Sequence, residues 1–233
     1  MQIIKQKIQK PPRIILYGPE GVGKTTFGVG CPNPLFICAE SGADQFDVHR
    51  VNCKTYEQTK EVFRFLSKEK HDYKSLIIDT IDWLENTIVD ELCKRANKTS
   101  LADFGFGQGY ELAEGEIRQL TKSLDYLRDL GINIILLAHS KIERFNDPEL
   151  NEPIDRWQLK TLKRTAPVYK EWCDDMLFCN HDRDVIDGKA KGGYKRLIWG
   201  THTAARDAKS RHGIGEKIEL SYEAIMPYLK GEQ

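Results

Sequence analysis

The sequence predicts an α/β protein, a mostly parallel central sheet flanked by helices on both faces. Three observations carry this expectation. Short apolar runs alternate with amphipathic stretches of helical period along the chain. Several of the runs are apolar at every position, as strands covered on both faces must be. One run feeds through a glycine-rich turn directly into a helical pattern.

The elements follow in order. Arg13–Tyr17 reads as the first buried strand and Thr25–Val29 as the start of a helix. Pro34–Cys38 is a short apolar strand, and Thr55–Lys70 has helical spacing with Val62, Phe63 and Leu66 on one side. Ser75–Asp79 is a continuous apolar run closed by an acid, and Ile81–Ala96 a helix. Gly115–Leu130 is a second long helix with Ile117, Leu120, Leu124 and Leu127 as its stripe, stopped by Gly131. Ile132–Ala138 is another buried strand. Later strands are expected at Asp175–Asn180, Lys195–Gly200 and Glu216–Leu220, with a short helix at Tyr222–Leu229. Two stretches resist assignment and read as long loops. Asn97–Tyr110 interleaves Gly105, Gly107 and Gly109 with aromatics. Lys141–Pro167 is charged and broken by Pro148 and Pro153.

The 233 residues suit one large α/β domain, with 40% hydrophobic residues to build its core. No apolar run approaches the roughly 20 residues of a membrane span. Met1–Lys10 alternates Ile with Lys and Gln and lacks the apolar block of a signal peptide, so a cytoplasmic location and no membrane partner are expected. Six scattered cysteines form no C-x-x-C pair. Cys173, Cys179 and His181 are conceivable metal ligands, but small buried thiols on a strand are the simpler reading. With 35 basic and 35 acidic residues, global charge does not announce a nucleic-acid partner. Locally, Arg183–Gly213 holds eight basic residues (Arg183, Lys189, Lys191, Lys195, Arg196, Arg206, Lys209, Arg211) against three acidic ones. A phosphate-attracting surface and a solvated charged face explain this equally well.

The most specific motif is Gly18-Pro19-Glu20-Gly21-Val22-Gly23-Lys24-Thr25, followed by Thr26. It matches G-x-x-x-x-G-K-[ST], the P-loop that binds nucleotide phosphates. Glycines let the backbone curl so that N–H groups point inward, and the helix start adds partial positive charge. Lys24 is expected to reach the β- and γ-phosphates, and Thr25 to place its hydroxyl on Mg²⁺. Asp79 ends its apolar strand where a second Mg²⁺ ligand of the Walker B type belongs. Glu40, in Cys38-Ala39-Glu40-Ser41-Gly42, is a candidate to orient the attacking water, or else a helix-capping or surface acid. His139 ends the strand Ile134–Ala138 and is either a γ-phosphate sensor or a structural histidine.

Taken in order, Tyr17–Thr26, Cys38–Ser41, Leu76–Thr80 and Leu136–Ser140 resemble the RecA-like P-loop NTPase core, and within it the small phage-type nucleotide-binding and single-strand annealing proteins. The resemblance covers about residues 13–213, with short extensions at either end. It implies one RecA-like domain spanning 1–233, without the further domains of full recombinases. It also implies ATP and Mg²⁺ as cofactors, slow hydrolysis, Glu40 as catalytic base and His139 in the sensor place, where the family commonly has Gln. Lys209-Ser210-Arg211-His212-Gly213 resembles the Lys-x-Arg-Phe-Gly signature of RadA-type hexameric ATPases. That likeness implies that Lys209 and Arg211 reach the site of an adjacent subunit, hence a homo-oligomeric ring or filament. The two long loops fall where RecA-like proteins hold single-stranded DNA. Glycines with aromatics suit base stacking, and Lys160, Lys163 and Arg164 suit phosphates. A single-stranded DNA-binding protein is a further candidate partner. The expected role is recombination or strand annealing. The alternatives are a small-molecule kinase, with the loops as its lid, and a non-hydrolysing annealing module ordered by ATP.

Overall fold

The computed structural model describes residues 5, 9–39, 41–147, 151–186 and 189–232, with the backbone alone for Ser41 and for 183–186 and 189–192. Its framework is a ten-stranded sheet. The strands are β1 (Arg13–Gly18), β2 (Pro34–Cys38), β3 (His49–Asn52), β4 (Ser75–Asp79), β5 (Asn133–Phe145), β6 (Ile154–Leu159), β7 (Asp175–Ile186), β8 (Lys189–Trp199), β9 (Lys209–Ser210) and β10 (Ile218–Glu219). They lie in the order β10-β8-β7-β1-β5-β4-β2-β3, with β6 paired to β5 and β9 to β7. From β7 through β1, β5, β4 and β2 to β3 every neighbour is parallel, whereas β8, β9, β10 and β6 join antiparallel. The sheet is therefore mixed and mostly parallel, as expected.

Alternation along the strands divides the core into two. Ile15 and Tyr17 of β1, Leu76 and Ile78 of β4, and Ile134 and Leu136 of β5 face one side. Helices α2 (Tyr56–Lys68), α3 (Ile81–Arg95), α4 (Gln108–Asp129) and α5 (Ala166–Trp172) cover that side. Ile14, Leu16, Ile77, Ile135 and Leu137 face the other, under α1 (Lys24–Val29) and α6 (Tyr222–Lys230). Each such fully buried side chain contributes roughly 1.5–3 kcal/mol relative to exposure. This double covering is why these strands lack polar alternation.

The helices obey local rules. Thr55 caps α2 in a capping box with Gln58. In α4, Ala113, Ile117, Leu120, Leu124 and Leu127 form the buried stripe, and Gly131, at φ 96°, ends the helix. Among the described residues no helix is long and apolar enough to cross a membrane.

Both expected loops are largely regular structure. In 97–110, Ser100 and Asp103 box a 3₁₀ turn over Leu101–Phe104, and α4 begins at Gln108, earlier than Gly115. Glycines hid these first seven residues, about two turns. Gly109 runs so close to the Leu101 carbonyl that an added Cβ would lie 2.2 Å from its oxygen, so tertiary contact overrides its poor helix propensity. Gly105, Phe106 and Gly107, all at positive φ, remain as the turn proper, with the Phe106 ring fully exposed.

Within 141–167, β5 runs on to Phe145 and turns back as β6. The apolar pairs of this hairpin, Ile142 opposite Trp157 and Phe145 opposite Ile154, fall on alternate faces, so no single stripe registers in the sequence. Between them Glu143 stands opposite Arg156 and Arg144 opposite Asp155, while the ion pairs formed among the described residues are Lys141 with Glu143 and Arg156 with Asp147. Arg156 also lies 3.6 Å from the centroid of the Phe145 ring. Pro167 stands in the first turn of α5, where proline starts a helix rather than breaking one. Pro148 and Glu149 lie outside the described residues. The sequence also concealed β3, whose four side chains are all exposed, and the length of the β7–β8 hairpin.

Candidate nucleotide-binding site

Strand β1 ends at Gly18, and β7 passes so near that a Cβ there would lie 2.1 Å from the Cys179 carbonyl oxygen. Only glycine fits. The chain then turns through Gly21 and Gly23, at φ 72° and 108°, and enters α1 at Lys24. Val22 is buried in the core, so it offers the loop only its backbone. Lys24 Nζ donates to the carbonyls of Gly18 at 3.0 Å and Pro19 at 2.8 Å. The loop thus holds its own lysine inside its curve.

A cavity of about 560 Å³ opens over this loop. Glu20, Gly21, Gly23, Lys24, Thr25 and Thr26 form one wall, and Asp79, Trp83 and His139 another. Parallel register brings these residues together, since Cys38 stands beside Asp79 and Gly18 beside His139 at the same sheet end. One strand, β5, separates the P-loop strand from the Asp79 strand.

Thr25 Oγ1 donates to Asp79 Oδ2 at 2.8 Å. Burial pushes the Asp79 carboxyl above its ordinary pKa, against the opposing pull of the Thr25 bond and the Lys24 charge. A Cβ built on Gly42 would lie 3.8 Å from that threonine oxygen and 3.9 Å from the aspartate oxygen, so a glycine there keeps the space above the pair open. One hydroxyl and one carboxylate beside a phosphate loop are hard oxygen donors of the kind that hold Mg²⁺ together with phosphate and water. The residues present fit that ion. No cluster of three His, Cys, Asp or Glu able to hold a metal occurs among the described residues. Cys173 and Cys179 are buried free thiols.

His139 is bound to α3. Its Nδ1 lies 2.8 Å from Asp82 Oδ2, and its backbone N–H donates to Asp82 Oδ1 at 3.0 Å. Burial would raise the Asp82 pKa, but the bonds from His139 outweigh it and hold the carboxyl below its ordinary range. One turn on, Glu85 accepts from the Leu162 N–H at 2.7 Å and from the Thr165 hydroxyl. Burial pushes Glu85 up, and these bonds only partly offset it. The helix that starts beside Asp79 therefore grips both His139, which stands in the middle of β5 rather than ending it, and the segment after β6.

Lys160 and Arg196 complete the cavity wall. The sequence had offered Lys160 to nucleic acid and had counted Arg196 only as part of a basic region. Asp82, Glu85, Trp83 and Gly42 carried no sequence signal of their own, because their roles come from helix phase and from strand register. Of the basic region, the side chains of Arg183, Lys189 and Lys191 lie outside what is described. Glu40 also lies outside the described residues.

Lys209 and Arg211 do not join this cavity. Strand β9 pairs with Asp175 and Met176, which lie beside Ile14 and Ile15 at the opposite end of the sheet from Gly18. Arg211 Nη1 is 3.2 Å from Asp174 Oδ1, yet the side chain is 58% exposed.

A family model described as an AAA domain matches residues 10–212 of the chain. No curated protein matches it.

Proposed function

The chain belongs to the AAA domain family, and from that premise we propose that it is an ATPase whose nucleotide state controls a grip on single-stranded DNA, in phage-type recombination or strand annealing. One observation carries the proposal. Helix α3 leaves the Asp79 strand and hydrogen-bonds both His139, through Asp82, and the Leu162–Thr165 segment, through Glu85. A change at the phosphates has a bonded route to the segment bearing Lys163 and Arg164.

In this reading Lys24 exchanges its carbonyl partners for the β- and γ-phosphates, and the loop N–H groups cradle them. Thr25 and Asp79 hold Mg²⁺, which when bound neutralises charge developing on the phosphates. Glu40 follows β2, whose last residue is in register with Asp79, and it is the proposed water-orienting carboxylate. His139 responds to the γ-phosphate. Lys163 supplies a cation for a nucleic-acid backbone, in a groove whose Lys141 and Lys170 are paired with Glu143 and Asp207. The exposed Phe106 ring is available for base stacking. Lys209 and Arg211, far from their own cavity, serve a neighbouring copy in a ring or filament.

ATP hydrolysis by the purified chain, with and without single-stranded DNA, tests this. The reading expects DNA-stimulated turnover that is absent in Lys24→Ala. It further expects stimulation to be lost in Arg211→Ala and to return when that variant is mixed with Lys24→Ala. Turnover indifferent to DNA, with no DNA binding in the presence of ATP, removes the nucleic-acid part. Unchanged ATP affinity in Lys24→Ala removes the site.

A further inference from the structure

We propose that Arg196 is a phosphate-contacting residue of this same site, supplied in cis by the β7–β8 hairpin. The proposal rests on the ATPase reading above and adds to it a charged group that the P-loop motif does not contain.

The guanidinium of Arg196 lies directly against the phosphate loop. A Cβ built on Gly23 would lie 2.7 Å from Arg196 Nη1 and 3.5 Å from its Cζ. Gly23 is the last loop residue before Lys24, so the guanidinium stands at the mouth of the cradle. The backbone that carries it is fixed. Arg196 is in register with His181 of β7, its carbonyl accepts from the Leu220 N–H at 3.0 Å, and β7 is itself paired with β1, the P-loop strand. The arginine and the loop are thus held in one sheet of one chain, and no second subunit is needed to bring them together.

Arg196 also lacks a competing role. Among the described residues its side chain forms no ion pair and no hydrogen bond. The other cavity-side cation brought in from outside the loop, Lys160, is likewise without an ion pair there, and its backbone N–H donates to the His139 carbonyl at 2.9 Å. Several arginines elsewhere are neutralised: Arg13 and Arg128 by Asp174, Arg95 by Glu91, Arg118 by Glu114. Both cations are exposed and, among the described residues, unpaired at the rim of the phosphate cradle, placed to meet an anionic ligand. A planar guanidinium can bond two phosphate oxygens at once, which an ammonium cannot.

The chemistry follows from position. In hydrolysis a water oxygen bonds the γ-phosphorus while the bond from that phosphorus to the β–γ bridging oxygen breaks. The electron pair leaves with ADP, and of the two water protons one stays on the phosphate and one passes to solvent. Negative charge builds on the bridging and γ-oxygens, and Arg196 opposes it from the Gly23 side.

The test uses the full chain with Arg196→Ala and Arg196→Lys, reading steady-state ATP turnover and the affinities for ATP and ADP. The expected result is a fall in kcat of about 100-fold or more in Arg196→Ala, with only partial recovery in Arg196→Lys. ADP affinity should stay within about threefold of wild type, which shows the loop intact. An equal mixture of Arg196→Ala with Lys24→Ala should stay inactive, because each chain then carries one defective site. A kcat within about tenfold of wild type, or activity returning on mixing, overturns the proposal. Wild-type protein that binds ATP without turning it over defeats the ATPase reading separately. Arg196 is then judged by affinity alone: loss of about tenfold in the preference for ATP over ADP in Arg196→Ala supports the contact, and a retained preference overturns it.

Discussion

Asp82 holds His139 by two bonds at once, ring Nδ1 to Oδ2 at 2.8 Å and backbone N–H to Oδ1 at 3.0 Å. The carboxylate that positions this residue, where β5 passes the end of β1, therefore sits in the first turn of the helix that begins beside Asp79. Asp79 and the anchor of His139 thus share one short stretch of chain.

Asp82→Asn keeps the shape of the side chain but removes its charge and one acceptor. It should lower ATP turnover by about 100-fold, the scale expected when a reacting group is misplaced by about 1 Å. ADP affinity should hardly change. A urea titration should show a loss of about 1–3 kcal/mol, the cost of leaving buried donors short of a partner. Turnover equal to wild type would show that His139 does not depend on this anchor.

Glu85→Ala should loosen the segment after β6. The Leu162 N–H loses its acceptor, and the Thr165 hydroxyl keeps only the Leu162 carbonyl at 3.1 Å. Amide hydrogen exchange at Leu162–Ala166 should accelerate by about tenfold or more, equivalent to about 1.4 kcal/mol of lost local protection, while β1 and β4 keep theirs. DNA stimulation of ATP turnover should fall more than the basal rate. Unchanged exchange in 162–166 would remove Glu85 as the clasp.

Asp174 tests the electrostatics of the far end of the sheet. Arg13 lies 2.8 Å away, Arg128 2.9 Å and Arg211 3.2 Å. Burial would raise the Asp174 pKa, but the bonds and charge of Arg13 and the charge of Arg128 outweigh it, so the folded value is depressed. The unfolded chain then takes up this proton first as pH falls. The stabilisation is complete above the unfolded carboxylate pKa of about 3.9 and is lost as pH drops through the lower folded value. Asp174→Asn should cost about 3 kcal/mol at pH 7. The gap from wild type should narrow below about pH 4 in denaturant titrations, and a gap that widens there would contradict the assignment.

Two glycines should respond with opposite signs. Gly18→Ala pushes a Cβ to 2.1 Å from the Cys179 carbonyl oxygen, where only backbone movement relieves the contact, and should destabilise by about 1–3 kcal/mol. Gly115→Ala places its Cβ in open space within α4, with nothing inside 4 Å, and should stabilise by about 0.5–1 kcal/mol. Thermal melts of the two variants should move apart.

The parts of this protein that could be read without coordinates are those whose cause is local. Gly18–Thr25 forms a phosphate loop because glycines, lysine and threonine act within eight consecutive positions. Ser75–Asp79 and Ile134–His139 declare buried strands because burial on both faces demands an unbroken apolar run. Strand β3, the β5–β6 hairpin and the first turn of α4 were illegible. Exposed faces, cross-strand charge pairs and a close-packed glycine imitate a loop when neighbours are unseen.

The site divides along the same line. Lys24, Thr25 and Asp79 are announced by motif or by strand-end position, and His139 by closing an apolar run, although its strand continues to Phe145. Sheet order then sets them around one cavity. The meeting of Arg196 with Gly23, of Asp82 with His139 and of Glu85 with Leu162 depends on strand pairing and helix phase between segments far apart in the chain. Lys209 and Arg211 lie in a stretch that resembles a phosphate-contacting signature, while pairing of β9 with the far end of β7 sets them away from their own cavity. Local chemistry names the groups that touch phosphate, and long-range packing decides which charges stand beside them, because a contact between distant residues has no period or spacing in the chain that foretells it.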